Sequence, residues 1–309
     1  MAAMNRRDEK PSWLHRLILC LRKAGNTASI GGRFRVPQSI LRRTFRHAHG
    51  VVRVHDFDGD LSIDLCLSEH MQRRVFWMGY YSSGIVALLH RTLGKGMVVI
   101  DVGANIGEIS MVAANCVGSA GKVFAFEPVA SVANQLEKNL ELNHLDQVVV
   151  VRAGLSNEIR SNVPVYESCG QDDASDEHHG LNSLYGATTN QVPLQHVAVT
   201  TLDAWCSDHP LERIDLIKID IEGSELPCLH GAEQTLRRFR PTLIVEVQDQ
   251  SSTAAGYHAA DILDFLANLG YRFQTIGPSG RLAPVQADTL GAYQNVLCTH
   301  EDAHTRVQQ

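Results

Sequence analysis

The stretch from Met97 to Pro128, MVVIDVGANIGEISMVAANCVGSAGKVFAFEP, constrains the fold of this chain more than any other. Met97 to Ile100 is an apolar run of the kind buried in a parallel sheet, and Asp101 is expected to close it. The next residues, through Gly107, read as a tight turn. Gly103 and Gly107 let the backbone bend sharply or approach a ligand without a Cβ in the way. Glu108 to Ala114 predicts a helix and Lys122 to Phe126 the next strand, with Glu127 at its carboxyl end. Glu127 comes twenty residues after Gly107, the separation at which a βαβ nucleotide site places its ribose-binding acid.

The spacing also selects the nucleotide. A dinucleotide fold wants G-x-G-x-x-G and a helix amino terminus free to hold a pyrophosphate. Here the glycines stand four apart, Asn105 occupies the middle, and carboxylates at Asp101 and Glu108 flank the turn. Those charges repel a pyrophosphate and suit a cation. S-adenosylmethionine, with a sulfonium, an ammonium, a ribose diol and no phosphate, meets these demands. The expected cofactor contacts are Asp101, Gly103, Ala104, Asn105, Gly107, Glu108, Glu127 and Pro128. Ala153 and Leu155 join them from the loop Arg152 to Ser156, where an adenine ring would rest.

A second chemical stretch is IDLIKIDIEGSE, residues 214–225. Leu216 to Ile219 predicts a buried strand. Lys218, Asp220 and Glu222 alternate at period two, so continued strand geometry would put them on one face. Asp220 and Glu222 then overhang the carboxyl end, where ligands bind in open α/β sheets. Asp220 is a candidate for both cofactor contact and catalysis. One helix is expected from Glu225 to Phe239, with Pro227 tolerated in its first turn. Thr242 to Gln248 predicts a further strand that brings Glu246 near its end.

The remaining elements complete an α/β pattern. Val51 to Val54 and Leu61 to Leu65 around Asp58-Gly59 predict a β-hairpin. A helix is expected from Ile85, another over Val129 to Asn143, a strand at Val148 to Val151, and a strand over Val197 to Leu202. A last helix over His258 to Leu269 and strands at Tyr271 to Thr275 and Asn295 to Cys298 close the chain. The expectation is a doubly wound, mostly parallel seven-stranded sheet of the Rossmann-like type, with an amino-terminal helix and a hairpin cap. Residues 1–47 form a basic arm and 48–309 one domain, divided into a hairpin and helix cap (48–96) and the core (97–309).

Charge is distributed unevenly. Residues 1–50 hold eleven Lys and Arg against two acids, a net +9 within a chain of net −6, so the remainder carries −15. A uniformly basic nucleic-acid binder is therefore disfavoured. The seven cysteines are scattered, without a C-x-x-C pair, as expected of reduced thiols in the cytoplasm. Trp13 to Leu21 is too short and too charged to span a bilayer, which leaves surface contact with a membrane or burial against the domain. The acidic loop 167–180 contains His178 and His179 but no dense ligand spacing. No metal is assigned there. A Mg²⁺ held by Asp220 and Glu246 against a diol substrate stays open as a lesser reading.

Taken together, VVIDVGANIGE (98–108), FEP (126–128), VTTLDAW (199–205), IDLIKIDIEGSE (214–225), HGAEQTL (230–236) and IVEV (244–247) resemble the FkbM family of S-adenosylmethionine-dependent methyltransferases. The likeness covers roughly residues 78–298 and departs from the family at Ser82 and Gln248. It implies O-methylation of hydroxyls on sugars and natural products, with Asp220 and Glu222 facing the methyl group. The chemistry expected is in-line displacement at the sulfonium, with Asp220 or Glu222, together with Glu246, as general base. Lys218 would tune or neutralise that cluster. A nucleic-acid methyltransferase using the basic arm and an NAD-dependent dehydrogenase are the alternatives, the latter opposed by the glycine spacing.

Overall fold

A computed structural model describes residues 17–22, 43–45, 48–167, 182–184, 192–286, 290 and 293–302. Most of the basic arm and nearly all of the acidic loop, including His178 and His179, lie outside the described residues. The chain divides into two compact units, Met1–Tyr81 and Ser82–Gln309.

In the first unit, residues 17–22 are helical, overlapping the expected Trp13 to Leu21 stretch and running one residue past it; its start lies outside the described residues. Strands β1 (Val51–Phe57) and β2 (Leu61–Cys66) form the anticipated antiparallel hairpin. Its turn places Asp58 and Gly59 at φ 45° and 91°, the positive values that match the twist of the flanking strands. Helix α1 (His70–Met78) follows, an element that sequence reasoning passed over. Arg22 ties these pieces together. Its guanidinium holds the Asp56 carboxylate at 2.5 and 2.6 Å and donates to the Phe76 carbonyl at 2.6 Å.

The second unit runs α2 (Ser83–Thr92), β3 (Val98–Val102), α3 (Glu108–Val117), β4 (Lys122–Phe126), α4 (Ala130–Glu141) and β5 (Val148–Val151). A side excursion follows through β6 (Gly154–Leu155), β7 (Arg160–Glu167), β8 (Asn182–Ser183) and β9 (Gln195–Thr200). The chain then returns through α5 (Leu202–Asp208), β10 (Leu216–Ile219), α6 (Glu225–His230), α7 (Glu233–Phe239), β11 (Thr242–Val247), α8 (Asp249–Ala254) and α9 (Ala259–Asn268). It ends with β12 (Tyr271–Ile276), β13 (Leu282–Pro284) and β14 (Gln294–His300).

The main sheet has the order β13-β12-β14-β11-β10-β3-β4-β5. Strands β11, β10, β3, β4 and β5 are parallel, whereas β14, β12 and β13 join antiparallel. This is the doubly wound α/β class expected, with one strand more than the seven anticipated. The extra strand, β13, pairs Gln274 with Pro284 and Ile276 with Leu282. Its Pro284 is tolerated because an edge strand need not donate every N–H. Strands β6, β9, β7 and β8 form a separate small sheet.

Period-two alternation sorts the strands' side chains. Ile100 and Val102 of β3, Ile217 and Ile219 of β10, and Leu243, Val245 and Val247 of β11 enter one apolar cluster with Trp205, Leu229, Leu236 and Leu266. Trp205 meets Phe124 and Phe126 edge-on, with ring centroids 4.9 and 5.2 Å apart. The winding changes direction between β3 and β10: β3, β4 and β5 step one way, β10 and β11 the other. Such a reversal opens a crevice at the strands' carboxyl ends.

Candidate functional site

Asp101 does not end its strand as the sequence suggested. It lies inside β3, fully buried, in register beside Lys218 of β10. Both point away from the Ile100 and Ile217 side. The Ser110 hydroxyl donates to Asp101 Oδ2 at 2.6 Å, and Lys218 Nζ stands 3.4 Å from Asp101 Oδ1. Nζ also lies 3.6 Å from Asp220 Oδ2 and donates to the Gly103 carbonyl at 2.9 Å and the Val102 carbonyl at 3.3 Å. Burial alone would lower the Lys218 pKa. The charges of Asp220, Asp101 and Glu246 outweigh it, and the ammonium is held in its charged form.

The turn after β3 is built by close approach. Gly103 has φ 76°, and a Cβ there would sit 2.0 Å from the Asp220 carbonyl oxygen, so only glycine lets β3 and β10 end this near each other. Asn105 takes φ 49°, which its short polar side chain tolerates, and its Oδ1 accepts the Ile106 N–H at 2.7 Å. The buried Asn139 of α4 donates to the Ile106 carbonyl at 2.9 Å and fixes the turn from the other side.

Glu127 stands at the end of β4, as expected, with both carboxylate oxygens engaged. Oε2 accepts the Asn105 N–H at 3.0 Å and Oε1 the Val129 N–H at 2.9 Å. Each oxygen keeps a lone pair for a ligand hydroxyl. Burial, stronger than these lowering contacts, pushes its pKa up to about 7. The turn thus joins Asp101, Gly103, Ala104, Asn105 and Glu127.

Other predicted contacts are placed differently. Glu108 is buried and accepts the Ser82 N–H at 3.2 Å, fastening the start of α2. Leu155 lies in the apolar core that includes Phe126 and Trp205, while Ala153 is half-buried just beyond β5. The Pro128 carbonyl accepts from Gln195 Nε2 at 3.1 Å.

Beyond β10 the carboxylates of Asp220, Glu222 and Glu246 gather, each offering an oxygen within 4.8 Å of the others. Glu246 arrives by register. Ile244 pairs with Lys218, so Glu246, two residues on, shares the Lys218 face. Glu222 arrives by another route than strand alternation. Regular pairing stops at Ile219, and Glu222 takes φ 50° in the turn that follows.

That turn is held by Glu225, which sequence reasoning placed only at a helix start. Its Oε1 accepts the Ile221 N–H at 2.9 Å and its Oε2 the Gly223 N–H at 3.0 Å. The Tyr257 hydroxyl lies 3.1 Å from Glu225 Oε2 and 3.1 Å from the Gly223 carbonyl. A carboxylate five residues after a strand-end acid is the one sequence signal that could have pointed to it. Burial first, then neighbouring carboxylates, raises the pKa values of Glu222 and Glu246, with Lys218 opposing. Glu246 Oε2 is buried without a hydrogen-bond partner.

The arrangement, a glycine turn with a ribose-type acid beside a carboxylate cluster, can hold a cationic nucleoside next to proton acceptors. The sequence profile of the methyltransferase FkbM domain matches residues 101–273. The AMB antimetabolite synthetase AmbE of Pseudomonas aeruginosa is 28% identical over 237 residues, covering 68% of this chain and 11% of that protein. Methyltransferase sdnD of Sordaria araneosa is 29% identical over 179 residues, 50% of this chain and 67% of its own. The 2-O-methyltransferase NoeI of Sinorhizobium fredii is 27% identical over 190 residues, 59% of this chain and 74% of its own. This chain therefore spans about a tenth of AmbE and larger shares of the other two. Among solved structures, methyltransferase FkbM from Methylobacillus flagellatus KT gives a TM-score of 0.42 at 15% identity, covering 86% of this chain and 60% of that one.

Proposed function

Because the chain belongs to the FkbM methyltransferase family, we propose that it moves the methyl group of S-adenosylmethionine to a hydroxyl of a sugar, glycoside or polyketide-like natural product. The observation that carries this reading is the carboxylate trio of Asp220, Glu222 and Glu246 at the ends of β10 and β11, beside the Gly103–Gly107 turn. The relative named a 2-O-methyltransferase supports oxygen as the acceptor atom.

In this reading Glu127 binds the ribose hydroxyls, and Asp101 and Asp220 favour the cationic methionine end. The hydroxyl oxygen attacks the methyl carbon as the carbon–sulfur bond breaks, and the bonding pair returns to sulfur to leave a neutral thioether. The hydroxyl proton passes to Asp220 or Glu222, which are partly exposed, whereas Glu246 is nearly buried. Lys218 keeps its own proton and acts as a positioning residue between Asp101 and Asp220.

Incubating the protein with methyl-labelled S-adenosylmethionine and an extract of the source cells is expected to give a labelled ether. Whichever of Asp220→Asn and Glu222→Gln removes the base should lower turnover by about 100-fold, the usual worth of a general base. Label found only on nitrogen or carbon would overturn the O-methyl assignment. Wild-type turnover in both variants would remove the two acids from the chemistry.

A further inference from the structure

We propose that Asp220, Glu222 and Glu246 bind one hard divalent cation of the Mg²⁺ or Mn²⁺ class. This rests on reading the same site as a methyl-transfer centre. The three carboxylates each present an oxygen within 4.8 Å of the others. Oxygens facing each other across such a cation stand ~4 to 5 Å apart, given bonds of ~2.1 to 2.4 Å. The donors come from three different backbone positions: the end of β10, the turn at Glu222 and the end of β11. They therefore approach from different directions.

A second observation is independent of the clustering. Glu246 is 3% exposed, and its Oε2 is buried with no hydrogen-bond partner. Buried carboxylates are kept by a partner, whether hydrogen-bonded, ionic or metallic. Lys218 acts on Glu246 through its charge but makes no contact with that oxygen, because its Nζ is taken by Asp101, Asp220 and the Val102 and Gly103 carbonyls. An oxygen-only donor set, without histidine or cysteine, selects hard cations over zinc or copper.

Three protein oxygens leave coordination positions open on a six-coordinate cation. An acceptor with two adjacent hydroxyls, or a hydroxyl beside a carbonyl, would occupy two of them. That places the acceptor oxygen beside the turn that holds the cofactor. Each carboxylate would give one oxygen to the cation, and the second oxygen of Asp220 or Glu222 would take the hydroxyl proton. The substrate class is thereby narrowed to chelating polyols and hydroxy-ketones.

The test is direct titration of chelator-stripped full-length protein with Mn²⁺, followed by electron paramagnetic resonance of the free ion. Binding of S-adenosylmethionine is followed separately by calorimetry. Uptake of about one equivalent is expected, with Glu246→Gln and Asp220→Asn each weakening it by about tenfold or more. Glu137→Gln, at a half-buried position on α4 paired with Arg152, should bind as the wild type does. Thermal unfolding checks that the variants are folded. Wild-type protein that binds S-adenosylmethionine but takes up no Mn²⁺ overturns the proposal and leaves the methyltransferase reading standing. So does uptake that neither folded variant weakens. Mn²⁺ uptake without S-adenosylmethionine binding supports the cation site and overturns the methyltransferase reading instead.

Discussion

Replacing Gly103 by alanine tests the close approach on which the crevice depends. The added Cβ would sit 2.0 Å from the Asp220 carbonyl oxygen, 2.9 Å from Ile221 Cγ2 and 3.1 Å from the Asp220 carbonyl carbon. Ordinary carbon contacts need ~3.5 Å, so the end of β10 must retreat by roughly 1.5 Å. Forcing a side chain onto φ 76° costs about 1–2 kcal/mol, and the overpacking adds about 1–3 kcal/mol. The sum, ~2–5 kcal/mol, is a large part of the 5–15 kcal/mol that typically holds a domain together. Gly256→Ala provides the control, because Gly256 has φ 87° but nothing within 4 Å of its Cβ position. It should lose only the backbone part. Urea unfolding of both variants isolates the collision as the difference between them. Calorimetry should show weakened S-adenosylmethionine binding for Gly103→Ala and unchanged binding for Gly256→Ala. Equal midpoint shifts, with equal cofactor affinity, would refute the argument.

Two further perturbations probe buried charge. Lys218→Met leaves the fully buried Asp101 with Ser110 as its remaining hydrogen-bond donor, and should cost about 3–5 kcal/mol at pH 7. Urea unfolding showing no loss at pH 7 would count against the ion pair. The pKa of Glu127 is raised by burial from 4.5 to about 7, so the folded state binds its proton more tightly than the unfolded chain does. Its contribution is full below pH 4.5 and is lost as pH rises to 7, a decline of up to ~3 kcal/mol. Unfolding free energies of wild type and Glu127→Gln across pH 4.5–8 should show that decline in the wild type only.

The inner parallel strands were readable because burial on both faces makes them apolar runs, and the edge strand β5, half-exposed, because it is four β-branched valines in a row. The spans Lys122 to Phe126, Val148 to Val151 and Leu216 to Ile219 match the structure residue for residue. The helix expected over Glu225 to Phe239 is two helices, broken between His230 and Glu233. A Cβ on Gly231 would lie 2.0 Å from the Ser156 carbonyl oxygen, a constraint set by a segment 75 residues away and invisible to local pattern. Helix α8 was missed because DQSSTA carries no apolar periodicity; of the small sheet only β9 was expected, as Val197 to Leu202 against the observed Gln195–Thr200, while β6 and β8 have only two residues each. At the site, Asp101 was expected to close its strand and lies inside it, whereas Lys218 and Asp220 followed from strand alternation and Glu246 from its place near a strand end. Glu225 did not, because its work is to accept backbone N–H groups in a turn whose shape no spacing rule encodes.

The left-handed backbone at Glu222 carries an evolutionary tension. With φ 50°, the position favours glycine energetically, yet glycine would delete the carboxylate that meets Asp220 and Glu246. If Glu222 works as proposed above, a campaign of directed evolution scored only on heat tolerance would drift toward a sturdier, inert protein at this codon. Selection for turnover would hold the glutamate in its uncomfortable pose.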